Sequence, residues 1–254
     1  ISTIGAPATL WISTAWYVIS LAALLPLRSI KQTRQVHMQS ALSMLTGGFR
    51  IVLSNRRTRA VLTVTLAANI LIWPVYQSFM PVFALDVLNL DAAGLGWLLT
   101  CSGVGGLTGA IIIASLGDFE YKGALFVLGT ATWAFLWFLF ALSHHSATSF
   151  VLMFGIGLMS ASFGVLQTTL LLMTTAARVQ GQALGMQELA IGIMPFSAIA
   201  IGIIAHQIGV SRATQVNALL LVATMLILAA RVPDLLRYSG TEPVKSLPHV
   251  APSN

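Results

Sequence analysis

Gly123-Ala-Leu-Phe-Val-Leu-Gly-Thr-Ala-Thr-Trp-Ala-Phe-Leu-Trp-Phe-Leu-Phe-Ala-Leu142 runs without a single charge or strongly polar side chain. A helix of this length, at about 1.5 Å per residue, crosses a hydrocarbon core of about 30 Å. A helix is the natural element for such a stretch because it satisfies its own backbone hydrogen bonds in lipid. The segment, with Trp133 and Trp137 near its centre, is expected to face lipid or to pack only against apolar neighbours. Working outward, comparable runs cover Pro7–Leu27, Ala60–Leu85, Gly94–Leu116, Ser149–Thr174, Ala183–Ile208 and Ala213–Val232. Hydrophobic residues make up 57% of the 254-residue chain and charged residues 8%. The expected fold class is therefore an all-α polytopic membrane protein with about seven transmembrane helices.

The gaps between runs predict the topology. Residues 28–59 hold Arg28, Lys31, Arg34, Arg50, Arg56, Arg57 and Arg59. With alternating crossings, Lys122, Arg178, Arg231, Arg237 and Lys245 fall on the same side, leaving Arg212 alone on the other beside Asp86, Asp91, His144 and His145. Twelve of the 13 basic residues thus share one side, which the positive-inside bias marks as cytoplasmic. The expected placement is a cell (inner) membrane, multi-pass, with the amino terminus outside and the carboxyl terminus in the cytoplasm. The pI near 10 is then loop charge, and a nucleic-acid partner is not expected.

Within residues 29–59, Met38, Leu42, Leu45, Phe49 and Val52 recur at helical spacing, opposite Gln39, Ser43, Thr46 and Arg50. An amphipathic helix on the membrane surface fits that pattern, with Arg56, Arg57 and Arg59 meeting anionic head groups; an ordinary soluble connector fits it too. Residues 238–254, with Pro243, Pro248 and Pro252 among polar neighbours, read as a disordered cytoplasmic tail. The chain opens on Ile1 with no charged stretch before its first run, so it is expected to be the later part of a longer protein. Cys101 is the sole cysteine and forms no intrachain disulfide.

Four local sequences in this order resemble the major facilitator superfamily. They are Asn55-Arg56-Arg57-Thr58-Arg59-Ala60-Val61-Leu62, Pro81-Val82-Phe83-Ala84-Leu85-Asp86-Val87-Leu88, Ala93-Gly94-Leu95-Gly96-Trp97-Leu98-Leu99, and Ala177-Arg178-Val179-Gln180-Gly181-Gln182-Ala183-Leu184-Gly185. The resemblance runs from Leu10 to about Arg237 and points to the branch of siderophore exporters, such as the enterobactin exporter, and putative drug exporters. It implies that the seven runs correspond to the family's sixth to twelfth helices. Residues 1–28 would be the last helix of the amino-terminal half, 29–59 the central loop, and 60–237 the carboxyl-terminal six-helix bundle. It implies alternating access around a site near mid-membrane, a missing amino-terminal half as partner, the lipid bilayer, and a small-molecule substrate. Two departures stand out. The family's Gly-Arg before its eleventh helix is Gly181-Gln182, and a Gly-x-x-x-Asp-Arg-type loop reads Gly117-Asp118-Phe119-Glu120-Tyr121-Lys122. Asp118 and Lys122 are the gating-loop candidates, and the loss of the basic residue directly after Asp118 leaves that lock in question.

Polar groups inside spans are costly and therefore informative. Glu188 is the one acid well inside a run; burial would raise its pKa and suit it to proton coupling, unless it reaches interfacial water or pairs with Arg178. Gln187 precedes it as a cavity candidate. Asn69, Trp73, Tyr76 and Gln77 share one helical face across an interruption at Trp73-Pro74. They suit either a grip on an aromatic or cationic ligand or a kinked helix with interhelical hydrogen bonds. Gly155, Gly157, Ser160, Ser162, Gly164, Gln167 and Thr168 give the fifth run a small, polar side, read mainly as close packing, with Gln167 the cavity candidate. Gly103, Gly105, Gly106 and Gly109 also read as packing, since no phosphate-loop Lys-Ser/Thr follows them. His206 reads as interfacial, and His144-His145 lack a third metal ligand.

The leading expectation is a secondary transporter, most plausibly a proton-coupled exporter of an amphipathic siderophore- or drug-like compound, with no cofactor and no metal. A seven-helix receptor and a non-transporting remnant are the alternatives. No Lys in any span excludes a retinal Schiff base. An intramembrane enzyme fares badly too: Glu188 and His206 would stand about 27 Å apart on one helix.

Overall fold

The computed structural model describes residues 6–24 and 52–239 and divides into two units, residues 1–40 and 41–254. The first contains one helix, α1 (Ala6–Leu24), where Trp11, Trp16 and Tyr17 are exposed. The amphipathic pattern over Met38–Phe49 lies outside the described residues.

The second unit is a helical bundle. Its elements are α2 (Arg56–Leu71), α3 (Trp73–Ser78), α4 (Met80–Val82) leading into a π-helical turn (Phe83–Val87), α5 (Ala92–Ser115), α6 (Lys122–Leu142), α7 (Ser146–Thr174), α8 (Gln180–Gly192), α9 (Met194–Ile208), α10 (Val210–Arg231) and the short α11 (Pro233–Leu236). Among the described residues there is no strand, and six helical stretches are long and apolar enough to cross a membrane: Arg56–Ser78, Ala92–Ser115, Lys122–Leu142, Ser146–Thr174, Ala177–Ile208 and Val210–Arg231. The protein is an all-α polytopic membrane protein.

Local chemistry sets the boundaries. The Asn55 side chain accepts from Arg57 N at 3.0 Å and caps α2, which starts four residues before the expected Ala60. Asp91 caps α5 in the same way through Gly94 N at 2.8 Å. Gly117 and Tyr121, both with positive φ, turn the chain between α5 and α6. Two spans are broken by proline. Pro74 stands at the start of α3 and the helix is interrupted at Ile72; Pro195 stands at the start of α9 and the interruption falls at Ile193. The second break, in a run expected to be continuous from Ala183 to Ile208, has the same cause as the first: proline lacks the N–H that would reach back to Ile191 and crowds that turn.

α5 packs along α7, while α6 packs on both α7 and α10. The α5–α7 contact is made by backbone. A Cβ built on Gly105 would overlap Phe154 O, one on Gly157 would overlap Ser102 O, and one on Gly109 would overlap Leu158 O. Packing through glycine is thus what these clusters do. Gly123 against Leu235 O and Gly129 against Ser162 Oγ repeat the device on α6. The charge-free stretch of α6 from Gly123 onward packs mainly against the bundle. Phe126, Trp133, Trp137 and Phe140 are fully buried against apolar neighbours, and only Leu128, Thr132, Phe135 and Leu142 are exposed along it.

The basic end of the bundle is closed by hydrogen bonds. Thr174 O accepts from Asn55 Nδ2 at 2.8 Å and from Thr58 Oγ1 at 2.9 Å, joining the start of α2 to the end of α7. Arg56 Nη2 donates to Arg231 O at the end of α10. These contacts bring together the ends that alternating crossings place on one side. The expected tail boundary needs correction. Tyr238 is buried, its hydroxyl donating to Met173 O at 2.9 Å and its carbonyl accepting from Gly123 N, so the bundle extends through Ser239. Residues 240–254 lie outside the described residues.

Replacing Gly157 with Val should destabilise the purified protein by about 1–3 kcal/mol through backbone overlap with α5, lowering its melting temperature in detergent. Gly164→Ala, where a Cβ meets open space, should leave that temperature unchanged or raise it slightly.

Candidate functional site

The break at Ile72 divides the four residues expected to share a face. Asn69 is buried in α2, its Nδ2 donating to Thr65 O at 2.9 Å and its carbonyl accepting from Ser197 Oγ at 3.3 Å, so its polarity is absorbed by helix contacts. Gln77 is exposed, with Nε2 3.5 Å from Met194 Sδ. Trp73 and Tyr76 turn instead toward α6. The Trp73 ring lies 5.7 Å from Trp133 and 6.4 Å from Phe163; Tyr76 meets Trp137 edge-on at 6.1 Å; Trp133 stacks on Phe163 at 5.7 Å. Five aromatic rings from α3, α6 and α7 thus form one box.

Gln167 stands one helical turn beyond Phe163 on α7, so it follows the box along the same face. It is buried, and its Oε1 accepts no hydrogen bond. Its neighbour Thr168 receives Gln187 Nε2 at 2.9 Å, which ties α7 to α8. Gln187 is also buried, with Oε1 unpartnered. In the box itself, the indole Nε1 groups of Trp133 and Trp137 are buried without an acceptor. An unpaired buried polar group costs about 1–3 kcal/mol. Here two donors and two acceptors are left over around apolar rings. Leftover polarity beside buried, mutually packed rings marks this cluster as the candidate site.

Glu188 does not share this burial. Its side chain is exposed on α8, one residue round from Gln187, so the bundle's interior does not enclose it. The gating-loop candidates are built more firmly than the altered motif suggested. Lys122, buried at the start of α6, pairs with Asp118 Oδ1 at 2.5 Å. Its Nζ also donates to Phe119 O at 2.8 Å and Ser239 O at 2.9 Å. The cation missing directly after Asp118 is supplied four positions on, and it binds the loop to the end of the chain's last described turn. Among the described residues no three His, Cys, Asp or Glu side chains gather as a metal site; His144, His145 and His206 are exposed.

A family model described as transmembrane secretion effector, of the major facilitator superfamily, matches residues 1–248. The chain belongs to that family. No curated protein and no solved structure gave a match. Membership points to a membrane transporter.

Reading the sequence alone named Trp133, Trp137, Thr168 and Gln182 without marking them as site candidates and passed over Phe163; Gln182 has a buried, unpartnered Oε1. The i, i+4 spacing of Trp133 and Trp137 and of Phe163 and Gln167 was the available signal. It says that each pair shares a face, but not which face is inside.

Lys122→Met should leave Asp118 unpaired and release Phe119 O and Ser239 O. The secretion effector should lose about 1–3 kcal/mol of stability, and chymotrypsin should cut after Tyr238 faster than in the parent protein. An unchanged cleavage rate would show that Lys122 does not hold that segment.

Proposed function

We propose that this secretion effector exports an amphipathic small molecule, siderophore- or drug-like, by alternating access driven by protons, and that its six-helix bundle is one of two walls of the pathway. The observation that carries the reading is the aromatic box of Trp73, Tyr76, Trp133, Trp137 and Phe163 continued by the unpartnered amide oxygens of Gln167 and Gln187. Aromatic faces hold a flat apolar body, and the amide oxygens accept from its N–H or O–H groups. In this reading α1 and the bundle correspond to the sixth to twelfth helices of the superfamily, within its exporter branch, and an amino-terminal half supplies the facing wall. The basic end faces the cytoplasm of a cell whose inner membrane holds the protein, as the one-sided Lys and Arg distribution supports.

Glu188 takes the coupling role because it is an exposed acid next to Gln187, at the edge of the amide group. A carboxylate there meets water when the pathway is open and loses it when the facing wall closes.

The test uses the intact transporter in proteoliposomes with an imposed pH gradient. Gln167→Leu and Gln187→Leu should raise KM for an exported compound about ten-fold, roughly one lost hydrogen bond each, with kcat little changed. Glu188→Gln should abolish gradient-driven accumulation while sparing movement down the compound's own gradient. Accumulation by Glu188→Gln at the parent rate would remove the coupling role. Transport by the seven-helix chain reconstituted alone would remove the requirement for a second wall.

A further inference from the structure

An apolar groove of about 290 Å³ opens between α2 and α8 at the basic end of the bundle, lined by Leu53, Leu62, Leu66, Met186, Leu189 and Ala190, with Arg59 and Thr63 at its edge. We infer that it binds one anionic phospholipid, the phosphate on Arg59 and an acyl chain along the leucines.

Depth supports this assignment. Arg59 lies in the first turn of α2 and Leu66 seven residues further, about 10 Å along the axis. On α8, Met186 and Ala190 sit one turn apart and share a face with Leu189. From Arg59 the groove therefore runs inward along walls that are apolar but for Thr63, the order of a lipid's head and tail, with Leu53 on the other side of the cation. Thr63 does not interrupt it, because its hydroxyl donates to Arg59 O at 2.9 Å within the helix.

Charge supports it as well. Of the three arginines that open α2, Arg56 donates to Arg231 O and Arg57 lies 4.8 Å over the Tyr238 ring. Arg59 is exposed and, among the described residues, has no ion-pair partner. A guanidinium free to use its planar fork suits a phosphate. No carboxylate lines the groove to receive a choline or ethanolamine cation. Glu188 lies off the lining stripe, two residues from both Met186 and Ala190. That selects an anionic head group over a zwitterionic one.

The test is native mass spectrometry of the full chain, delipidated in detergent and offered equal amounts of phosphatidylglycerol and phosphatidylcholine. The parent protein should retain phosphatidylglycerol at least five-fold more than phosphatidylcholine. Arg59→Gln should lower phosphatidylglycerol retention about five-fold, Arg59→Lys should keep most of it, and Leu66→Trp, which fills the groove, should lower retention of both lipids. Arg178→Gln removes another exposed cation at the same end and should change nothing. Equal retention of the two lipids overturns the inference, as does full retention by Arg59→Gln. An equal fall with Arg178→Gln overturns it too, because the attraction is then diffuse surface charge. If Arg59→Gln lowers the melting temperature without lipid, the readout becomes the rise in that temperature on adding phosphatidylglycerol. The parent must show a rise and Leu66→Trp must not; the reverse overturns the site.

Discussion

Gly157 of α7 and Ser102 of α5 meet with no side chain between them, and most of what the bundle positions depends on that approach. In lipid, burying apolar surface drives helices together only weakly, because lipid tails are as apolar as leucine; close backbone contact through small residues is what remains. Gly105, Gly109 and Gly157 bring α5 against α7 over two turns, and Gly129 admits Ser162 from the other side. α7 is fixed between α5 and α6 as a result. It carries Phe163 into the aromatic box, Gln167 beyond it, and Thr168 to Gln187. The candidate site is thus held by contacts that contain no site residue.

The two ends of the bundle are built differently. At the basic end, Asn55, Thr58, Lys122 and Tyr238 all reach backbone carbonyls on other segments, at Thr174, Ser239 and Met173. These groups satisfy the carbonyls that helix ends leave without partners. At the opposite end, Gln215 Nε2 donates to Ala141 O at 3.1 Å, while Asp86, Asp91, His144 and His145 remain exposed. The bundle is thus tied by more polar contacts at its basic end than at the other and is packed mainly by apolar contacts between them. Rigid-body rocking of transporter halves asks for such a unit.

What the sequence made legible follows from the same physics. The apolar runs stood out because charge is excluded from lipid; the α2 start did not, because Arg56, Arg57 and Arg59 precede the apolar run although Asn55 caps the helix before them. Direction around each helix was hidden. In a soluble helix the apolar stripe marks the core; here lipid and core are both apolar, so Trp133 and Phe135 look alike, yet one is buried and the other exposed. The same ambiguity left open whether Glu188 was buried or reached water, and the structure has it exposed; Asn69 and Gln77, expected on one face with Trp73, lie on either side of the break at Ile72. Lys122 was legible as a gating-loop candidate, but its tie to the end of the bundle was not. Its partners Asp118 and Phe119 are near in sequence, but Ser239 is 117 residues away.

The two proline breaks are neighbours in space, and this gives the site a mechanical setting. Pro74 leaves Ile70 O, and Pro195 leaves Ile191 O, without its usual helical donor. Ser197 Oγ, just past the second break, lies 3.3 Å from Asn69 O just before the first and 2.9 Å from Met194 O in its own helix, and Gln77 lies beside Met194. The weakened turns of α2–α3 and α8–α9 are therefore in contact with one another. Trp73 and Tyr76 follow the first break within a turn, and Gln187 precedes the second by less than two turns. The first break sets the direction in which Trp73 and Tyr76 leave α2, and the second sets how α9 continues from the helix that carries Gln187. Because the two breaks touch, the placement of the aromatic residues and that of Gln187 depend on one shared region of the bundle.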